Sequence, residues 1–399
     1  MTVDFKRGVS LRRGNNSIPR HAQHAQSINM VDDISAYAPE NYKGRSSGGM
    51  GKGKKVALII LTAILAVILG FGAVAFFFML NLDNNLHKDE DDMLGLKEAL
   101  VTPKEKEGAF YALVLGSDAR EGDVSSRSDV MILCRVDPEK GTVDLISIPR
   151  DTAVNIPDYG VQKINAAHAF GGAGQAVKTV SEFAGVPISH YGEVHFNELE
   201  QLVNCVGGVE VDVPEEFTSI GGLHFNAGKQ TLNGKQALAY ARERKGVSGG
   251  DFSRAQAQRE ITAALMDKVI SAPPTEMPGL ISKLTESVET DMNVADIMAL
   301  AAEFKNKGLT VHSSVCPSYS YSEGGVSYVG TMFDEWRELM QRVDAGLDPD
   351  DTSAVIPEKQ LNDKQLGMAS NSAAPRDYQG RAHVGLNTDQ VPQAQQKSK

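Results

Sequence analysis

The amino-acid sequence predicts an α/β fold, a central mixed β-sheet flanked by helices on both faces in a three-layer α/β/α arrangement, preceded by one transmembrane helix. Three observations predict it. Short apolar runs of strand length are interspersed with longer stretches of helical spacing, a pattern that buries best as a sheet covered on both sides. The apolar fraction of 41% suits one sizeable core diluted by polar ends. A run of 25 residues without a charge, 56–80, stands apart near the N-terminus.

That run is long enough, at about 1.5 Å per residue, to cross a hydrocarbon core about 30 Å thick. It lacks the polar stripe of a soluble helix. Lys52, Lys54 and Lys55 precede it, whereas Asp83, Asp89, Glu90, Asp91 and Asp92 follow. This asymmetry puts the N-terminus in the cytoplasm and the chain beyond the run outside. A cleaved signal peptide is the competing reading, but its apolar core is shorter and ends in a small-residue cleavage site. Residues 1–55, rich in Asn, Gln, Ser, Gly and His, read as a disordered cytoplasmic tail. Residues 81–107 read as a charged stalk, 108–346 as the folded extracytoplasmic domain, and 347–399 as a disordered C-terminal tail.

Within the domain, apolar runs at 110–115, 130–136 and 143–148 predict three strands, the last two joined by a turn at Asp137-Pro138-Glu139-Lys140-Gly141. Helical spacing takes over at 163–170 and 175–184. A strand at 190–196 leads into a helix at 197–206, which Gly207 and Gly208 terminate. A strand at 209–213 follows, then helices at 234–243 and 251–271, the second opened by Asp251 as its cap. Helices at 279–288 and 294–306, a strand at 309–316 and a helix at 332–343 complete the domain.

The net charge of −11 divides into +6 over residues 1–55 and −17 over the rest. An acidic main domain argues against a nucleic-acid partner, because neutralised phosphates dominate that affinity. Cys134, Cys205 and Cys316 are odd in number and widely spaced, which suits neither a disulfide framework nor a metal cage. Cys134 and Cys205 lie in apolar patterns and are expected as buried free thiols. The sequence contains no GxxxxGK[ST], GxSxG or HExxH pattern, which sets aside P-loop, α/β-hydrolase and zinc-protease readings.

Charged residues gather just after strand ends, where ligands of open α/β sheets sit. Gly116-Ser117-Asp118-Ala119-Arg120 closes the first strand, and Arg127-Ser128-Asp129 opens the second. Asp118 and Asp129 are placed to share a hard divalent cation, Mg2+ (or Mn2+), with substrate phosphates completing its shell. Ser147-Ile148-Pro149-Arg150-Asp151 ends the third strand, with Lys163 and Asn165 placed at the start of a helix. Arg242 and Arg244 converge only if their helix unwinds, which the glycine-rich stretch 245–250 favours. Arg254 and Gln258 lie one turn apart on one helix face. Guanidinium forks bind phosphate bidentately, so the joint pattern describes a pyrophosphate site. Salt-bridged turns and surface arginines account for each cluster taken singly.

In combination these clusters resemble the LytR–CpsA–Psr family. The resemblance rests on Leu115-Gly-Ser-Asp-Ala-Arg120, Arg127-Ser-Asp129, Ser147-Ile-Pro-Arg-Asp151, Lys163-Ile-Asn165, Gly207-Gly-Val209, Leu238-Ala-Tyr-Ala-Arg-Glu-Arg244 and Asp251-Phe-Ser-Arg254. It implies a phosphotransferase that moves a glycopolymer from a polyprenyl-pyrophosphate carrier to peptidoglycan. It also implies that Asp118 and Asp129 hold magnesium, and that Arg120, Arg127, Arg150, Lys163, Arg242, Arg244, Arg254 and Gln258 grip the pyrophosphate. Asp118, or Asp151, accepts the attacking hydroxyl's proton. The sequence departs from the family at Ala257, where an arginine is frequent; the next basic residue is Arg259. The rival readings are a non-catalytic lipid-pyrophosphate binder, a pyrophosphatase and a transcriptional attenuator. The last needs DNA contact from residues 1–55, which show no helix-turn-helix pattern.

Overall fold

Strands that are apolar on both faces need a layer of helices on each side. The computed structural model describes residues 90–102, 108–117, 127–273, 275–284 and 287–378. The expected cytoplasmic tail, transmembrane helix, residues 81–89 and 103–107 of the stalk, Asp118, Arg120 and residues 379–399 lie outside the described residues. The rest of the expected stalk is corrected, since Glu90–Ala99 is a helix whose Leu96 is buried in the main core. Among the described residues no helix is long and apolar enough to cross a membrane.

In chain order, helix α1 (Glu90–Ala99) precedes strands β1 (Phe110–Ser117), β2 (Ser128–Asp137) and β3 (Thr142–Ser147). A small hairpin, β4 (Ala153–Ile156) and β5 (Gly160–Lys163), leads to α2 (Ala166–Ala184), β6 (His190–His195) and α3 (Phe196–Cys205). Next come β7 (Val209–Val213), β8 (Phe217–Thr218), β9 (His224–Phe225) and β10 (Gly228–Leu232), then α4 (Gly234–Arg242) and α5 (Asp251–Ser271). The chain continues through α6 (Met277–Leu284), β11 (Val288–Thr290), α7 (Val294–Lys307) and β12 (Thr310–Val315). A second hairpin, β13 (Ser318–Glu323) and β14 (Val326–Thr331), precedes α8 (Phe333–Ala345) and the short α9 (Glu358–Asn362).

Six strands form the mixed central sheet in the order β11-β6-β1-β2-β3-β12. β1, β2 and β3 are an antiparallel meander, while β6 runs parallel to β1 and β12 parallel to β3. Side chains alternate between faces with period two. Met131 and Leu133 point into the core covered by α2 and α8, whereas Val130, Ile132 and Cys134 point toward α5 and α7. A separate core joins α3, α4, β7 and β10 to one side of α5. There α4 opens with a reciprocal capping box between Asn233 and Gln236.

The helices expected at 163–170 and 175–184 are one element kinked at Gly171 and Gly172. Gly172 has φ of 60°, a conformation that only glycine adopts freely. Lys163 is therefore not at a helix start: it is the last residue of β5, and α2 begins at Ala166 behind Asn165. Cys134 and Cys316 are buried and Cys205 is half-buried; all three are free thiols.

The expectation of a disordered tail from residue 347 is corrected as far as residue 378. Leu366, Ala369, Ala374 and Tyr378 belong to the same core as Trp336 and Phe183. Gly367 N donates to Ala184 O at 2.8 Å, Ala369 N to Phe183 O at 3.1 Å and Asn155 N to Asn371 O at 2.7 Å. The segment is held by scattered apolar plugs and backbone hydrogen bonds, and neither produces a periodic pattern in sequence. It follows that Leu366→Ala leaves a cavity and lowers the unfolding free energy by about 2–5 kcal/mol in a urea titration. A disordered residue gives a change within about 0.5 kcal/mol.

Candidate active site

The antiparallel register of β2 and β3 sets Ile132 opposite Ser147, so the start of β2 and the exit from β3 share one end of the sheet. Asp129 and Arg150 meet there: Arg150 Nη1 donates to Asp129 Oδ1 at 2.7 Å. Asp151 takes Lys163 Nζ at 3.0 Å and lies 4.0 Å from Arg150 Nε. The loop is fixed from both sides. Thr152 N bonds back to Pro149 O, and Val329 N of β14 donates to Asp151 O at 2.9 Å.

The second half of the site comes from the start of α5. Its N-cap is Gly250, at φ of 58°, and not Asp251. Asp251 is the first helical residue, and its carboxylate lies 3.0 Å from Arg254 Nη2 and 3.7 Å from Arg244 Nη1. α4 ends at Arg242, as the glycine-rich stretch suggested, and Glu243 takes an extended conformation. The Glu243 carboxylate accepts the backbone N–H groups of Ile220, Arg244, Lys245 and Gly246. Burial opposes its charge, but these four bonds hold its carboxyl below the ordinary range. A buried anion thus shapes the turn that delivers Arg244 to Asp251. Gln258 Nε2 donates to Ala241 O at 3.1 Å and ties the two helices together.

These elements enclose a cavity of about 190 Å³, lined by Asp129, Ser147, Arg150, Asp151, Asp251, Arg254 and Gln258, with Ser320, Ser327 and Tyr328 of the β13–β14 hairpin on its wall. Arg254 is buried, and desolvation pushes its guanidinium down; Asp251 and Asp129 support the charge while Arg150 and Arg244 repel it. At Arg150 burial also opposes the charge, but Asp129, Asp151 and Asp251 outweigh it and raise the guanidinium. The Nε atoms of Arg150 and Arg254 are buried without a hydrogen-bond acceptor. Both are donors held ready at the cavity.

Of the residues proposed from sequence, the structure brings together Asp129, Arg150, Asp151, Lys163, Arg244, Arg254 and Gln258. Arg127 and Arg242 are exposed and do not line the cavity. Asp118 and Arg120 are outside the described residues, which end at Ser117 on that side. Asp251, Glu243, Ser147 and the β13–β14 hairpin were not identified as site residues. Asp251 was legible only as a cap, and the hairpin's serine-rich alternation resembles a loop. Ala257 is buried in the core with α3 and α4, and contributes nothing to the cavity.

No group of three or more His, Cys, Asp or Glu gathers as a metal cage among the described residues. Asp129 has one oxygen on Arg150 and, among the described residues, no partner on the other. A carboxylate of this kind suits a magnesium ion completed by substrate oxygens.

Beneath the exit of β1, parallel pairing sets Ser117 opposite His195. Ser117 Oγ and His195 Nδ1 are 2.7 Å apart, His195 Nε2 lies 3.5 Å from Glu289, and Glu193 receives His168 at 3.0 Å and the Tyr191 hydroxyl. This buried network anchors the residue that precedes Asp118.

A model of the LytR_cpsA_psr family matches residues 76–343. The chain belongs to the LytR–CpsA–Psr family. The polyisoprenyl-teichoic acid–peptidoglycan teichoic acid transferase TagU of Enterococcus faecalis is 33% identical over 70% of this chain and 93% of its own length. TagU of Bacillus subtilis is 33% identical over 64% of this chain and 83% of its own. The crystal structure of Bacillus subtilis TagV superposes with a TM-score of 0.50 at 34% identity, covering 57% of this chain and 92% of that one. The family match ends within the last turn of α8, so residues 347–378 pack onto the domain from beyond it.

Glu193 offers a test of the network. Burial raises its carboxyl, but the bond and charge of His168 and the bonds from Ser117 and Tyr191 outweigh this and hold it at about 2, against an ordinary 4.5. A depressed carboxyl stabilises the fold above the unfolded value and loses that contribution as pH falls toward the folded one. Glu193→Gln therefore costs on the order of 2–3 kcal/mol at pH 7 and little near pH 2. Urea midpoints at the two pH values check this; an equal gap at both contradicts it.

Proposed function

We propose that this protein is a membrane-anchored, magnesium-dependent phosphotransferase that moves a glycopolymer from a polyprenyl-pyrophosphate carrier to peptidoglycan and releases polyprenyl phosphate. The observation that carries the reading is the convergence of Arg150 and Arg254 with Asp129, Asp151 and Asp251 at one cavity, with Arg244 joined to its edge through Asp251. The relatives named above are teichoic acid transferases, so an anionic wall polymer of that kind is the substrate class the reading favours.

Phosphoryl transfer needs positioning and neutralised oxygen charge more than covalent machinery. A sugar hydroxyl of peptidoglycan attacks the glycan-side phosphorus. The bond from that phosphorus to the bridging oxygen breaks, and lipid monophosphate leaves with the electron pair. Arg150 and Arg254 take the oxygen charge, and Arg244 adds to the field from Asp251. Lys163 and Asp151 hold the Arg150 loop. Asp118 accepts the hydroxyl proton, with Asp151, already engaged by Lys163, as the alternative. Asp118 and Asp129 would hold magnesium (or manganese), which would supply further neutralisation of the pyrophosphate. The 56–80 span places this site beside the bilayer that holds the lipid, with the N-terminus in the cytoplasm and the domain extracellular.

Arg150→Ala and Arg254→Ala are expected to lower lipid-phosphate release by roughly 10²–10³, the cost of one charge-compensating donor. Arg150→Lys keeps the charge without the planar fork and falls between. Arg337→Ala, half-buried on α8 and outside the cavity lining, leaves the rate unchanged. Rates within about twofold of wild type for both alanine variants overturn the assignment. A pure binder shows no release at all, and a pyrophosphatase shows release without glycan appearing on peptidoglycan.

Removal of divalent metal by a chelator is expected to stop release, with magnesium restoring it. Asp129→Ala raises the magnesium concentration needed for half-maximal rate. A turnover indifferent to chelation removes the metal from the mechanism.

A further inference from the structure

A guanidinium with no counter-ion among the described residues lies behind the wall of this cavity. Arg259, next to Gln258 on α5, is 1% exposed. Its Nε donates to Ser313 Oγ at 2.6 Å, its Nη1 donates to Ser147 Oγ at 2.7 Å, and its Nη2 is buried without an acceptor. Both partners are neutral hydroxyls. The carboxylates of Glu260 and Asp350 favour its charge from a distance, and neither forms an ion pair with it among the described residues. Glu260 is engaged by Tyr240 and Gln256, and Asp350 by Ser314. Burial pushes the guanidinium down to about 10, which still leaves it protonated at neutral pH.

An unpaired buried charge is strongly unfavourable, and exchange for an apolar side chain of similar volume is frequently neutral or stabilising. Its place in the fold suggests what compensates it. Ser147 closes β3 and lines the cavity next to Arg150. Because its Oγ accepts from Arg259, the hydroxyl has its own proton left to donate, and no acceptor for it exists among the described residues. An anion in the cavity supplies one.

We propose that Arg259 and Ser147 form a buried relay, in which Arg259 orients and polarises the Ser147 hydroxyl so that it donates to a phosphate oxygen of the bound substrate. Ser147 touches the substrate and Arg259 is a positioning residue that acts through it. The inference rests on the pyrophosphate reading of the cavity. It adds a donor from the sheet side, where Arg150 and Arg254 approach from the loop and from α5. Since charge on the phosphate oxygens shifts as the bond breaks, the relay acts on the transition state more than on binding.

The test uses the full chain in detergent with magnesium and a polyprenyl-pyrophosphate-linked disaccharide, reading lipid-phosphate release and thermal unfolding. Ser147→Ala and Arg259→Met are each expected to lower kcat by roughly 10- to 100-fold, with KM within about threefold. The double variant is expected to be no slower than the slower single one, because the two side chains act as a unit. Arg259→Met melts at or above the wild-type temperature, and Ser147→Thr, which keeps the hydroxyl, recovers part of the rate. Wild-type kcat in Ser147→Ala, alongside a crippled Arg150→Ala, overturns the relay while leaving the pyrophosphate site in place. So does a loss in Arg259→Met that tracks a lowered melting temperature. A wild-type chain that releases no lipid phosphate overturns both readings.

Discussion

Guanidinium groups repel one another, so several of them share a small cavity only if anions are interleaved among them. Asp129, Asp151 and Asp251 do this here: Asp129 and Asp151 flank Arg150, Asp251 lies between Arg254 and Arg244, and Lys163 pairs with Asp151. At Arg254 the balance is visible directly, since Asp251 and Asp129 pull against burial, Arg150 and Arg244. Half-exposed ion pairs of this kind contribute little to stability. Their effect is to hold cations in place until a ligand with more charge than a carboxylate arrives and takes over the guanidinium donors.

The fold serves this arrangement through register. Antiparallel pairing of β2 with β3 brings Asp129 and Arg150 to the same sheet end, and parallel pairing of β1 with β6 puts the Ser117–His195–Glu193 network at the end of β1, next to residue 118. Sheet ends alone leave loops free to move. Here β14 bonds to Asp151, and the segment from 347 to 378 bonds to Ala153 and Asn155 just beyond. The Arg150 loop is therefore braced by two pieces of chain that come from far along the sequence.

Much of this was legible in the sequence. Five strands of the central sheet and the helices α4, α5, α7 and α8 follow from apolar runs and helical spacing, whereas the three-residue edge strand β11 is too short to show a period and begins where a helix at 279–288 was expected. The arginines and carboxylates were found because they cluster at strand ends. What escaped detection lacks a local signal. The hairpin β13–β14 alternates serine with tyrosine, so its buried face reads as polar composition. Residues 347–378 are fixed by backbone bonds and single apolar plugs, and such contacts leave no period. Lys163 was misplaced onto a helix because the apolar spacing of α2 extends back across the β5 end. Arg259 was noted only as a departure from the family pattern at 257, since nothing local separates a buried arginine from a surface one.

The buried guanidinium donors also bear on when the site is stable. Arg150 Nε, Arg254 Nε and Arg259 Nη2 all lack acceptors, and all lie at the cavity or behind it. A buried donor left unmade costs about 1–3 kcal/mol, more for a charged group. Buried atoms elsewhere in the sheet also lack hydrogen-bond partners, Arg135 Nη1, Thr142 Oγ1 and Asp144 Oδ2 among them, but what distinguishes Arg150, Arg254 and Arg259 is that three unmade guanidinium donors surround one small space. They are consistent with a site assembled in advance for several anionic oxygens, where the unfavourable energy is borne by the empty protein and relieved on binding. Such preorganisation favours a transition state whose charge falls at those donors over a ground state that only partly reaches them. A serine-lined cavity behind paired arginines is then one electrostatic object, with the outer arginines gripping the ligand and the buried one setting the potential of the wall they press it against.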